Sequence, residues 1–238
     1  MSAENLSFSV AEALLRTQRA RRTEAGAEES SRRFPTVAVS REVAALGGTV
    51  ARAVGHRLGY PVYGREIVEK IAEELRQPAS QLHRLDERPT FWLEDWVHGW
   101  SGFRPTVNTD TYVRFLVATV RGMAEVGRCV FVGRGAFRIL PPEHTLCVRL
   151  IADRSDRIQN AQRLRHLSER EAASWIDHVE QERTAFMRRA FGIDPADPHL
   201  YDLILNSSRL SVDECADTIV HAFRQLEARC ARSSSGTP

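Results

Sequence analysis

Lysine is almost missing from this chain. Lys70 is the only one, and the rest of the 33 basic residues are arginine. Any phosphate held near the amino-terminal half must therefore be met by guanidinium groups or backbone N–H groups, not by a loop lysine. Cysteine is scarce as well. Cys129, Cys147, Cys215 and Cys230 show no C-x-x-C spacing and no clustering with histidine, which argues against a zinc framework. Cys129 and Cys147 lie in apolar runs and read as buried thiols. The eight histidines show no ligand spacing either. No apolar run approaches the ~18 residues of a membrane span, and no signal-peptide pattern is present. The expectation is a cytoplasmic protein with no membrane partner. A strong excess of one charge is also lacking: the net charge is +2. A dedicated duplex binder is usually more basic, so no nucleic-acid partner is expected, although RNA binding through arginine-rich segments stays as a minor alternative.

What is present is a globular composition, 42% hydrophobic and 27% charged over 238 residues. That suits one α/β domain carrying an insertion. Residues 1–34 are polar and rich in paired arginine and glutamate, and read as a mobile tail. Residues 230–238 read as a second, frayed tail. Between them strands alternate with helices. Thr36-Val-Ala-Val-Ser40, Pro61-Val-Tyr63, Cys129-Val-Phe-Val132, Thr145 to Ile151 and Leu203-Ile-Leu205 read as strands. Val50, Val54 and Leu58 recur at helical spacing, as do Ile67, Ile71 and Leu75, and Val113, Leu116, Val117 and Val120. Asp153 opens a helix crowded with arginine. Ser168-Glu-Arg-Glu171 and Ser211-x-x-Glu214 are capping-box patterns for two further helices. Trp92, Trp96 and Trp100 are four apart and read as the packing stripe of one helix. Asp194-Pro-Ala-Asp-Pro198 reads as a rigid turn. This alternation predicts a mostly parallel sheet covered on both faces, with ligands at the carboxyl ends of the strands.

That rule points first to Ser40-Arg41-Glu42-Val43-Ala44-Ala45-Leu46-Gly47-Gly48-Thr49. Strand, glycine-containing turn and helix together are the layout of a phosphate loop, in which backbone N–H groups and a helix N-terminus face an anion. The full pattern G-x-x-x-x-G-K-[ST] is broken. Its first glycine position holds Glu42, or Arg41 or Val43 if the frame slips by one, and there is no lysine.

The segments Val37 to Glu42, Gly47-Gly48, Leu58-Gly-Tyr-Pro-Val-Tyr63 and Glu66-Ile67 resemble the opening of the cytidylate kinase-like family. Val130-Phe-Val-Gly-Arg-Gly135 resembles its Gly-Arg turn. Asp153-Arg154, Asp156-Arg157, Ser168 to Ala172 and Glu182-Arg183 resemble its lid, and Tyr201 to Ser208 its last strand and following loop. The resemblance runs from about Thr36 to Phe223. It implies a P-loop NTPase-type domain over 35–229, with a helical acceptor-binding insertion at 64–127 and an arginine-rich lid at 153–200. It also implies ATP with Mg²⁺ as cofactors and a nucleoside monophosphate as acceptor, CMP or dCMP favoured. Gly47, Gly48 and Thr49 would surround the donor phosphates. Arg41 would stand in for the lysine, with Arg154 and Arg157 as further catalytic arginines. Arg134 and Arg183 would contact the acceptor, and Asn206, Ser207 and Ser208 would lie near the donor base. The chain departs from the family where Ala44-Ala45-Leu46-Gly47 replaces Gly-Ser-Gly-Gly, and where Gly64 replaces an aspartate. Leu46 is bulky where backbone should meet phosphate, and a leucine there is expected to oppose a positive φ. No clear magnesium carboxylate stands out; Asp153 and Asp202 are the nearest. These departures keep open a catalytically impaired, nucleotide-binding protein of the same fold.

Overall fold

A computed structural model describes residues 35–64, 67, 109–125 and 127–234. The amino-terminal segment, Ile71, Leu75, the three spaced tryptophans and most of the expected insertion lie outside the described residues.

Strand β1 (Thr36–Arg41) is the centre of the molecule. Its apolar run suits a strand covered on both faces, and Val37, Ala38 and Val39 are all buried. Strands β2 (Val62–Tyr63), β3 (Val130–Val132), β4 (Thr145–Ile151) and β5 (Leu203–Asn206) complete one sheet in the order β2-β3-β1-β4-β5. Every pairing is parallel. The register sets Val37 beside Val130 on one side and Leu146 on the other. From β1 the chain runs to the edge strand β2, returns to β3 between them, then crosses past β1 to β4 and β5. The direction of winding thus reverses at β1, and a crevice opens beyond its carboxyl end.

Side chains alternate across β1 and sort the helices into two layers. Val37 and Val39 face α1 (Gly47–Leu58) through Val50 and Val54, and α6 (Val212–Ser234) through Ile219 and Phe223. Ala38 faces the other way, with Phe131, toward α2 (Thr109–Glu125) and α5 (Glu169–Phe191). Each fully buried large side chain in these layers contributes roughly 1.5–3 kcal/mol. Two short helical pieces, α3 (Ala136–Ile139) and a 3-10 turn at Pro142–His144, lead into β4. Helix α4 (Arg154–Arg165) starts at Asp153. It forms a hairpin with α5, whose capping box at Ser168 and Glu171 is formed as the sequence predicts. Ser211 and Glu214 cap α6 in the same way. Helix α6 continues to Ser234, so the carboxyl-terminal segment expected to be frayed from 230 begins as helix. Among the described residues no helix is long and apolar enough to cross a membrane.

Two consequences can be measured. A Cβ on Gly55 would meet the Val62 side chain and lie 2.8 Å from the Tyr60 carbonyl oxygen, where the chain turns from α1 into β2. Gly55→Ala is therefore expected to lower stability by about 1–3 kcal/mol in urea denaturation. Burial pushes the Cys129 and Cys147 thiols up to about 12 and raises Cys215 as well, because a thiolate loses solvation there. A disulfide reagent at pH 8 should then modify only the partly exposed Cys230 in the native chain, and all four cysteines after denaturation.

Candidate functional site

The crevice beyond β1 begins with the loop from Glu42 to Leu46. Ala44 (φ 62°) and Leu46 (φ 56°) both occupy the left-handed region. The expectation that Leu46 opposes a positive φ is corrected here: leucine adopts it. A non-glycine residue in this region costs about 1–2 kcal/mol, so neighbouring groups must impose the shape. Three contacts do so. The Val43 N–H donates to Glu180 Oε1 at 2.6 Å, Asn160 Nδ2 donates to the Ala44 carbonyl at 3.0 Å, and Ser207 Oγ donates to the Ala45 carbonyl at 3.0 Å. The Val43 side chain is buried among Ala161, Ala172, Trp175, Ile176 and Val179 of the α4–α5 hairpin.

The bent loop leaves several of its amides without a hydrogen-bond partner among the described residues. The Ala45 and Thr49 N–H groups close local turns. Those of Ala44, Leu46, Gly47 and Gly48 make no hydrogen bond among the described residues. They cluster where α1 begins, and no acidic side chain lies in its first turn. Such a group of N–H dipoles attracts an anion. Arg41 connects this point to the next turn. A Cβ on Gly47 would lie 2.6 Å from Arg41 Cβ, and one on Gly133 would meet the Arg41 guanidinium. Glycine at both positions gives the arginine room to lie across the strand ends.

After β3 the backbone turns sharply. Gly133, Arg134 and Gly135 have φ 72°, 59° and 65° in succession. This turn leaves the Arg134 side chain only 9% exposed. A cavity of about 180 Å³ lies between the two turns and the α5 helix. Its walls carry the arginines Arg41, Arg134, Arg149 and Arg183, and the carboxylates Glu42 and Glu180. Phe137 and Met187 supply apolar surface.

Arg149 was not singled out by the sequence, because it sits inside the β4 run Thr145 to Ile151 and reads as part of a strand. It pairs in register with Ser40 and is 8% exposed. Its Nη1 donates to the hydroxyls of Ser40 (3.4 Å) and Tyr201 (3.3 Å), and its guanidinium lies 5.5 Å from the Tyr201 ring centroid. Tyr201 in turn donates to the Pro195 carbonyl at 2.8 Å. No carboxylate among the described residues forms an ion pair with Arg149. The Arg149 charge is also felt by Asp194, which lies beyond ion-pair distance. A buried guanidinium without a direct carboxylate partner is incompletely compensated, which favours an anion in the adjoining cavity. The one signal in the sequence was an arginine in an otherwise apolar strand.

The other expected residues are distributed unevenly. Arg41, Arg134 and Arg183 come together at the cavity. Gly47 and Gly48 are not among its walls; Gly47 packs against Arg41, and both amides are unbonded among the described residues. Thr49 Oγ1 accepts from Arg52 at 3.3 Å. Arg157 is nearly buried and pairs with Glu180 Oε1 at 2.7 Å, with Glu42 Oε2 3.8 Å away. Arg154 is exposed and forms a two-pronged pair with Asp177 at 2.7 and 2.8 Å, away from the cavity. Asn206, Ser207 and Ser208 sit behind the loop. Ser207 braces Ala45, Ser208 Oγ accepts the Asp153 N–H, and Asn206 Nδ2 donates to Asp153 Oδ1. Asp202 is committed to the Cys147 N–H at 2.7 Å. Among the described residues no group of three or more His, Cys, Asp or Glu is placed to hold a metal ion.

The sequence model of the cytidylate kinase-like family matches residues 36–209. No curated protein matches the chain. Among solved structures, an uncharacterized protein from Eubacterium ventriosum superposes with a TM-score of 0.60 at 16% identity, over 80% of this chain and 98% of its own. A shikimate kinase from Acinetobacter baumannii, in complex with shikimate, gives 0.48 at 10% identity, over 82% and 95%. A gluconokinase from Sinorhizobium meliloti gives 0.47 at 14% identity, over 85% and 99%. The parallel five-stranded sheet flanked by helices is the fold shared with the Eubacterium ventriosum protein.

The positive φ at Leu46 generates a pair of opposite expectations. Leu46→Gly removes the Cβ conflict and should raise stability by about 1 kcal/mol. Leu46→Val places a β-branched side chain in the same region and should lower it. Urea titration of both variants checks the sign.

Proposed function

The chain belongs to the cytidylate kinase-like family, and on that premise we propose that it transfers the γ-phosphoryl group of ATP to a nucleoside monophosphate, with CMP or dCMP the favoured acceptor. The observation that carries this reading is the cavity lined by Arg41, Arg134, Arg149 and Arg183, which Arg41 connects to the unbonded amides at the start of α1. Phosphoryl transfer asks a protein mainly to position two phosphates and neutralise the charge spread between them. Guanidinium groups suit that task, since their planar fork matches phosphate oxygens.

In this reading Gly47, Gly48 and Thr49 hold the donor phosphates at the α1 terminus, and Arg41 takes the part of the missing lysine. Arg134, Arg149 and Arg183 hold the acceptor phosphate. Arg157 approaches the transferred group from the lid, and Arg154 acts only if its pair with Asp177 opens. Asn206, Ser207 and Ser208 lie on the donor-base side. When bound, ATP with Mg²⁺ supplies the reactive group. Phosphate oxygens and water would carry most of that ion's coordination, as is common for magnesium. A second reading, a nucleotide-binding protein without turnover, has one observation in its favour: Leu46 stands where family members have glycine.

The test is a turnover assay with Mg-ATP and CMP, dCMP, UMP, AMP or GMP, the diphosphates resolved by chromatography. CDP or dCDP is expected. A folded protein that yields no diphosphate from any acceptor overturns the reading in favour of the second. Arg41→Ala should abolish turnover. Arg149→Met should raise the acceptor KM about 10- to 100-fold, the weight of a charge-assisted hydrogen bond. It should melt no lower than the wild type, since replacing a poorly paired buried charge by an apolar side chain is often neutral or stabilising.

A further inference from the structure

Glu180 is an acidic side chain in a wall otherwise dominated by arginine. It projects from α5 and does two things with one oxygen. Oε1 accepts the Val43 N–H at 2.6 Å and the Arg157 Nη1 hydrogen at 2.7 Å. A backbone amide of a phosphate-type loop and an arginine of the lid therefore already share one carboxylate oxygen. Two donors converging on one anionic oxygen is the arrangement that a phosphoryl oxygen requires.

We propose that Glu180 is a resident stand-in for a phosphoryl group, and that the Val43 N–H and Arg157 form a phosphate subsite which opens when Glu180 withdraws. This rests on the kinase-type reading of the cavity and adds an occupant to it. Arg157 has capacity to change partners, because its Nε is buried and makes no hydrogen bond among the described residues. Glu180 has somewhere to go, since its side chain is 29% exposed and lines the cavity. The neighbouring carboxylate is different. Glu42 Oε2 accepts the Ala152 N–H at 3.0 Å and stands 3.8 Å from Arg157, so it anchors strand ends and does not cap the loop amide. While Glu180 is in place the α4–α5 hairpin stays fastened to the loop. An incoming polyphosphate displaces Glu180 by competing for the same two donors, while Asn160 and the buried Val43 side chain keep the α4–α5 hairpin on the loop.

The experiment measures binding of inorganic tripolyphosphate and of Mg-ATP by calorimetry. It uses the full chain as wild type, Glu180→Gln, Glu180→Ala, Glu42→Gln and the double variant Glu180→Gln with Arg157→Gln. Tripolyphosphate should bind at least about 10-fold tighter to both single Glu180 variants, the weight of one charge-assisted hydrogen bond. Glu42→Gln should gain less, and the double variant should lose the gain. Binding by the Glu180 variants where the wild type shows none supports the proposal in its strongest form. If the wild type binds Mg-ATP and the Glu180 variants bind tripolyphosphate no tighter, the stand-in role falls and the kinase reading survives. An equal gain in Glu42→Gln reduces the effect to general charge and overturns the proposal. If no form binds either probe, both readings fall together. Should Glu180→Ala unfold, Glu180→Gln keeps the side-chain shape and decides the matter alone.

Discussion

The loop between β1 and α1 holds a backbone shape that its own residues do not favour. Ala44 and Leu46 would relax toward ordinary dihedrals if left to themselves. They are kept where they are by Glu180 on the Val43 amide, Asn160 on the Ala44 carbonyl, Ser207 on the Ala45 carbonyl, and the burial of Val43 in the α4–α5 hairpin. These braces come from α5, from α4 and from the end of β5. The loop is thus a meeting point of elements that are distant in sequence, and the direction of its amides depends on all of them. That dependence links fold to site: the sheet order puts the crevice at the end of β1, and the braces decide what the crevice presents.

Charge in the crevice follows a related logic. Four arginines and two glutamates line the cavity, and Arg149 rests on hydroxyl groups and an aromatic ring, with Asp194 the carboxylate that feels its charge. Pairing every arginine internally would have left nothing for a ligand. Pairing none would have made the ligand-free state costly, because uncompensated buried charge is destabilising. In the structure Glu180 and Glu42 line the same cavity and offset part of the positive potential. Arginine suits this better than lysine. Its charge is spread over a plane and is less strongly hydrated, so it tolerates burial against Tyr201 or glycine backbone.

Much of the fold was legible in the sequence. The strands at 36–41, 62–63, 145–151 and 203–206 and the two capping boxes follow from short apolar runs and from Ser-x-x-Glu spacing, which are local signals. The crevice was legible too, because a parallel sheet directs ligands to strand ends. The loop's conformation was not. Leu46 argues against a positive φ on its own, and what overrules it arrives from Asn160, Glu180 and Ser207, more than a hundred residues away. Arg149 was hidden for a similar reason: on a strand, period and hydrophobicity describe its neighbours well, and only the register with Ser40 and the proximity of Tyr201 give it a distinct surrounding. Arg154 and Arg157 looked alike in sequence. One helical turn separates a surface pair with Asp177 from a nearly buried pair with Glu180.

A loop shaped by its braces has a bearing on how such sites are recognised. Patterns for phosphate loops are spelled in glycine, since glycine needs no outside help to take those dihedrals. Here two non-glycine residues hold such dihedrals, and the information that fixes them lies in an asparagine, a glutamate and a serine on other elements. A contour held in this way is written in the residues that grip the loop, and a pattern confined to the loop does not record it.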